Sequence, residues 1–176
     1  SAFTGYSIAQ SMMVMIMFLT SLIMLERGYN YLQVSLTVAM HVVGMFAFSS
    51  LIGILADIIG RKYVSIIGML TLAIGCFITP LTANFYIITL GLFLIGLGWS
   101  SANIASTSMI ADINPANIRG RVTGVNDMLS GAFSVLFTLI GPIIANFVFL
   151  STPKDKSANK FSLLIIFETD LKEIEA

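Results

Sequence analysis

Charge is what this sequence has least of. Asp, Glu, Lys and Arg make up 10% of its 176 residues, against 57% hydrophobic residues and a mean hydropathy of +0.94. A soluble domain carries roughly a quarter charged residues, and a chain of this length has no core large enough to hide so much apolar surface. A water-soluble fold is excluded, and lipid must cover part of the molecule. Cysteine is nearly absent too: Cys76 stands alone, so no disulfide forms within the chain, and its apolar run marks it as a small buried hydrophobe. Basic clusters are missing, since nine Lys and Arg balance nine Asp and Glu with no basic run or interleaved aromatic patch; this excludes nucleic acid as a partner. One histidine, no paired acids and no H-E-x-x-H arrangement within the apolar runs leave no catalytic constellation, and no metal or cofactor is expected. A G-x-x-x-x-G-K-[ST] phosphate loop is lacking, so any energy must come from a gradient or another subunit. Nor does a filter-like loop or a ring-forming charge lie at membrane depth, which disfavours a channel.

What is present is apolar text in long blocks. A membrane helix needs about 20 mainly apolar residues, and five blocks qualify. The first is expected from about Tyr6 to Leu25, closed by Glu26-Arg27-Gly28, and the second from Leu32 to Ala56, ended by Asp57. The third runs from Lys62 to Thr79, where Pro80 breaks it and Asn84 offers a cap for the next start. The fourth covers Phe85 to Ala111 and the fifth Val122 to Leu150, with an exposed loop over 112–121 rich in charge, proline and glycine. The opening residues lack the basic n-region and small-residue cleavage pattern of a signal peptide, so the first block is expected to be retained. Barrel strands alternate apolar and polar residues, and these blocks do not.

The expectation is therefore an all-α, polytopic membrane helix bundle of five spans over residues 1–150. Residues 151–176 form a polar segment with a truncated apolar run, Phe161 to Phe167, and an acidic tail. Glycines recur at Gly68, Gly75, Gly91, Gly96, Gly98, Gly124 and Gly131. Small residues let helices approach closely in lipid, where packing drives association; hinge function is the other reading of them. Five crossings put Arg61, Lys62, Arg119 and Arg121 on one side and Arg27, Lys154, Lys156 and Lys160 on the other. That tie leaves the positive-inside rule undecided.

Two charged stretches share a face. The first, Gly53-Ile-Leu-Ala-Asp57-Ile-Ile-Gly60-Arg61-Lys62, ends one helix and starts the next, with Gly60 reversing the backbone and an Asp57–Arg61 pair able to latch two helices. A solvated turn with incidental charges is the plainer reading. This stretch resembles the G-x-L-a-D-r-x-G-R-K signature of the major facilitator superfamily, departing at Ile58, where a basic residue is usual. The second, Asn117-Ile-Arg119-Gly-Arg121, resembles the R-G-R element before the fifth helix of a facilitator half. Gly44-Met-Phe-Ala-Phe-Ser49 and Gly96-Leu-Gly-Trp99 resemble the carboxy-terminal halves of bacterial drug-efflux-like members. The two loops also echo each other, as Ala56-Asp57-Ile58 and Ala111-Asp112-Ile113.

The resemblance implies most of one six-helix half, with its final helix truncated or replaced. It implies a multi-pass protein of the cell membrane with loops 57–62 and 112–121 in the cytoplasm. It further implies a secondary transporter that moves small organic molecules by alternating access, in proton-coupled efflux, beside the other half or a second copy. A membrane assembly subunit that moves nothing alone is the competing reading.

Polar groups inside spans are costly and are functional candidates by default. His41 is read either as a proton or substrate group or as a neutral imidazole held by a neighbouring helix. Gln10, Trp99 and Asn103, with Ser11, Ser100 and Ser101 nearby, either line a substrate path or bond helix to helix. Asp127 falls early in the fifth helix, favoured by the helix dipole. Five methionines between Met12 and Met24 suggest either a pliable ligand surface or lipid-facing packing. Glu26 and Arg27 are expected to be solvated.

Overall fold

Local side-chain chemistry sets where two of the helices begin. The structure, a computed structural model, describes residues 2–150, with side chains for residues 3–140; the expected polar segment 151–176 lies outside them. Six α-helices follow one another: α1 (Ala2–Glu26), α2 (Tyr31–Phe46), α3 (Ser49–Ile59), α4 (Arg61–Ile78), α5 (Phe85–Ile113) and α6 (Arg119–Leu150), with a single 3-10 turn at Thr79–Leu81. Asn30 starts α2 through a capping box, its Oδ1 accepting from the Gln33 amide at 2.8 Å while Gln33 Oε1 accepts from the Asn30 amide at 3.0 Å. Asn84 caps α5, as its position after the proline break predicts, accepting from the Tyr86 amide at 2.9 Å. Between α3 and α4 the chain reverses at Gly60, whose φ of 98° favours glycine.

Among the described residues five helical stretches are long and apolar enough to cross a membrane: Phe3–Glu26, Tyr31–Ile59, Arg61–Leu81, Phe85–Ile113 and Arg119–Ile140. No strand occurs among the described residues. The five-span, all-helical expectation stands, with two corrections. The second span is not one helix, because it breaks at Ala47–Phe48, between α2 and α3. No proline causes this. Phe48 takes φ −104° and ψ 4°, and the Ser49 hydroxyl donates to the carbonyls of Met45 (3.2 Å) and Phe46 (2.9 Å). A hydroxyl inserted at a turn satisfies carbonyls the broken ladder leaves over, and so bends a helix. The second correction concerns the 112–121 loop, which is shorter than expected. Arg119 and Arg121 already belong to the first turn of α6, with the Val122 amide donating to the Ile118 carbonyl at 3.0 Å.

α5 is the axis of the bundle, with α4, α2 and α1 packed around it and α6 lying along α1. The α4–α5 contact is made backbone to backbone. A Cβ on Gly75 would stand 2.7 Å from the Gly91 carbonyl oxygen, and one on Gly68 would stand 2.8 Å from that of Gly98. On another side of α5, Gly96 lies against the His41 and Met45 backbone, and a Cβ on Gly44 would meet the Leu97 nitrogen at 3.1 Å. Close approach multiplies dispersion contacts, the force that holds helices together where lipid removes the hydrophobic drive. Gly124 and Gly131 meet nothing within 4 Å, so the packing reading holds for five of the seven glycines only. Around this core Leu51, Ile58, Leu70, Phe77 and Leu139 are each more than half exposed, a surface suited to acyl chains. Cys76 is half-buried against the core rather than enclosed in it.

Sidedness is visible in the loops. Arg27 donates from Nη1 to the Thr82 carbonyl at 2.7 Å, and the Tyr29 hydroxyl bonds the Ala83 carbonyl, joining the α1–α2 connection to the α4–α5 connection. Arg27 is exposed, as expected, and carries one hydrogen bond between the two connections.

Candidate functional site

Two arrangements gather most of the predicted residues. The first stands at the face opposite Arg27. Arg61 opens α4 and is 29% exposed; its Nη2 lies 3.6 Å from Asp57 Oδ1, and its Nη1 donates to the Ser108 carbonyl at 3.0 Å and pairs directly with Asp112. The expected two-helix staple is therefore a three-helix knot joining the ends of α3, α4 and α5. The echo between the two loops becomes physical here, because the aspartates of both Ala-Asp-Ile triplets share one guanidinium. Asp57 and Asp112 are largely exposed, and ion pairs of that kind contribute about 0–1 kcal/mol. Contacts this weak can open and close. Lys62 and Arg121 are exposed and form no ion pair among the described residues. Arg119 donates from Nε to the Asn114 carbonyl at 2.9 Å, closing the loop on itself.

The second arrangement lies at membrane depth, where α1, α5 and α6 meet. Trp99 Nε1 donates to Gln10 Oε1 at 2.7 Å, linking α5 to α1. One turn along each antiparallel helix come Tyr6 and Asn103, with Asp127 of α6 near the Tyr6 hydroxyl. Thr107 extends this face of α5, bonding the Asn103 carbonyl and side chain. The α1–α6 seam is itself polar. Ser7 and Ser130 share a hydrogen bond at 2.8 Å, and Ser134 reaches Ser11 at 3.5 Å and the Ser130 carbonyl at 2.8 Å. The constant offset between the pairs shows two parallel helices in one register. At a rise of about 1.5 Å per residue, Asp127 lies about 12 Å along α6 from Arg119, and Asn103 about 14 Å along α5 from Asp112. Along α1, Tyr6 stands about 30 Å from Glu26 at the opposite face, so the group lies within the spans on the side of the charged face.

Gln10, Trp99, Asn103 and Asp127 are thus brought to one face. His41 is not. It lies on α2, fully buried, with Nδ1 donating to the Leu92 carbonyl of α5 at 2.8 Å and Nε2 without a partner among the described residues. Leu92 stands about 16 Å along α5 from Asn103, so the imidazole occupies a different level. Ser101 also turns away, into the Gly68 contact with α4. Met13 and Met24 are buried, which gives part of the methionine run a core role. Sequence reasoning read Tyr6 only as a helix start, and Asp112 as a loop edge and part of the echoed triplet, not as a partner of Arg61. The spacing of Tyr6 and Gln10, one helical turn apart, and the echoed triplets were the available signals. On the other flank of the α1–α6 seam an apolar cavity of about 280 Å³ is lined by Phe3, Ile8, Met12, Phe133 and Phe137.

Comparison with known proteins identifies the family. The sequence profile of the Major Facilitator Superfamily matches residues 2–152. The chain is similar to the MFS-type transporter YdeG of Bacillus subtilis, at 30% identity over 149 residues, 82% of this chain and 34% of that protein. It is similar to the MFS-type transporter YddS of the same organism, at 28% over 124 residues, 69% and 28% of the two. It is also similar to the riboflavin transporter RfnT of Brucella anthropi, at 25% over 119 residues, 68% and 30% of the two. The chain spans about a third of the length of these relatives. No solved structure matches it. With the profile running through all five spans and both loops of the charged face, this multi-pass membrane chain belongs to the Major Facilitator Superfamily.

Proposed function

We propose that the chain is part of a secondary transporter of the cell membrane that moves small organic molecules by alternating access. The observation that carries this reading is Arg61, held by Asp57, Asp112 and the Ser108 carbonyl across three helix ends. Weak, partly wet ion pairs at one membrane face make a latch with two states of similar energy, which alternating access requires. Polar side chains within the spans, on the face of α1, α5 and α6, supply a place for a solute to rest. In this reading loops 57–62 and 112–121 face the cytoplasm, and transport is efflux in exchange for protons, as in the drug-efflux-like members the sequence resembles. The chain forms most of a carboxy-terminal half, and its partner is the other half or a second copy. Its span of about a third of its relatives supports that partnership.

The test is solute transport in proteoliposomes by the longer transporter that contains this chain, beside Arg61→Ala in the same protein. The variant is expected to bind solute and to move it at least tenfold more slowly. Unchanged transport in Arg61→Ala would remove the latch. Transport by the five-span chain alone would remove the need for a partner.

A further inference from the structure

The cavity beside the α1–α6 seam is a groove open along one side. At its floor the Ser7 hydroxyl pairs with that of Ser130 and Ser134 reaches Ser11, so these groups bond across the seam and the groove presents an apolar surface. It follows α1 from Phe3 to Met12, nine residues or about 14 Å, and Phe3, Ile8, Phe133 and Phe137 are exposed along it. A volume of about 280 Å³ over that length leaves a channel about 5 Å wide. A helix with its side chains is about 10–12 Å across and does not fit. A single file of carbons, which keeps about 4 Å from its neighbours, does. No glycine lines the groove, whereas α2 and α4 reach α5 through Gly44, Gly68 and Gly75. Depth agrees with width. Phe3 stands about 35 Å along α1 from Glu26 and Met12 about 21 Å, so in a hydrocarbon layer about 30 Å thick the groove starts at the headgroups of the charged face and ends inside that leaflet. One lipid tail spans half of the layer, about 15 Å, close to the length of the groove. Five full turns before Phe137, on the same side of α6, stands Arg119. Its Nε is taken by the Asn114 carbonyl, and it forms no ion pair among the described residues, which leaves its Nη groups for a phosphate.

We propose that this groove holds one tail of a membrane phospholipid from the leaflet beside the charged face, with the lipid's phosphate on the Arg119 guanidinium. Lipid already surrounds the protein, so the hydrophobic effect favours neither the groove nor the bulk bilayer. Retention comes from dispersion, because a tail in the groove touches the walls of two helices at once, and from the charge-assisted bonds that arginine makes to phosphate. Met12, unbranched and flexible, adapts its shape to the chain beside it.

The experiment places the longer transporter that contains this chain in nanodiscs with phosphatidylglycerol carrying a diazirine midway along one tail, and maps the photo-adducts by peptide mass spectrometry. Ile66 and Leu70 of α4 are the reference, apolar and exposed in the same leaflet but outside the groove. Adducts on residues 3–12 and 133–137 are expected at five times the reference yield or more. Met12→Trp, which puts a ring into the channel, should cut the groove adducts at least fivefold and leave those on α4 unchanged. Uniform yields over exposed apolar surface would overturn the proposal. So would a groove without adducts, the result expected if another helix of the longer protein covers it. The native distribution decides both points whether or not Met12→Trp folds. Groove adducts that persist in a folded Met12→Trp would overturn the proposal as well. A diazirine alkane of the same tail length that labels the groove as richly as the phospholipid would overturn the phospholipid as its occupant.

Discussion

Replacing Gly98 by alanine tests whether backbone contact between α4 and α5 holds the bundle together. The added methyl would stand 2.6 Å from the Gly68 carbonyl oxygen and 2.8 Å from Leu72 Cα, and would crowd the Leu72 amide. All three are backbone atoms of α4, so none can rotate away. Ordinary contact begins at 3.4 Å, and the helices must part by about 0.8 Å, a gap that forfeits a quarter to a half of each dispersion well along the seam. Overpacking of this kind costs about 1–3 kcal/mol, set against a gain of up to about 1 kcal/mol in helix propensity. Cys76, the single thiol, sits on α4 beside Gly75 and is half-buried. Its labelling by a maleimide dye in detergent therefore reports opening of this seam. Each 1.4 kcal/mol changes the open population about tenfold, so labelling of Gly98→Ala should run faster than that of the native chain, by up to about a hundredfold. Gly131→Ala, on α6 with nothing within 4 Å, should label at the native rate. Equal rates for Gly98→Ala and Gly131→Ala would refute the claim that the glycine seam sets stability.

Two further outcomes follow from the hydrogen bonds. A double-mutant cycle of Ser7→Ala and Ser130→Ala, read by the same labelling, should give a coupling of about 0.6 kcal/mol, typical of interhelical bonds in lipid; no coupling would mean the hydroxyls are not paired. His41→Leu should alter stability by less than about 1 kcal/mol, because losing the bond to Leu92 also removes the orphaned Nε2. Transport by the longer protein should keep its pH profile in this variant, and a flattened profile would return His41 to the proton path.

Much of the fold was legible because its causes are local. A bilayer sorts residues by polarity over a length of about 20, so five spans and the charged connections could be read directly from the sequence. Caps at Asn30 and Asn84 act within three residues, and Gly60 acts through its own φ. The break after Phe46 was not legible. Ser49 is an unremarkable helix residue until its hydroxyl turns onto two carbonyls. The Asp57–Arg61 pair was legible, yet Arg61's further partnership with Asp112 depends on where α5 ends beside α4.

What the sequence alone determined is the membrane, the number of crossings and which residues stand at which depth, since these follow from polarity and length along one chain. Tertiary structure decided which polar groups meet. Gly98 and Gly131 are the same residue in the same kind of helix, yet one touches backbone and the other open space. Gln10 and Trp99, or Tyr6 and Asp127, come together only once each helix has taken its rotation and register against α5 and α1. Those two quantities are fixed by backbone contacts between helices, which depend on all of them at once.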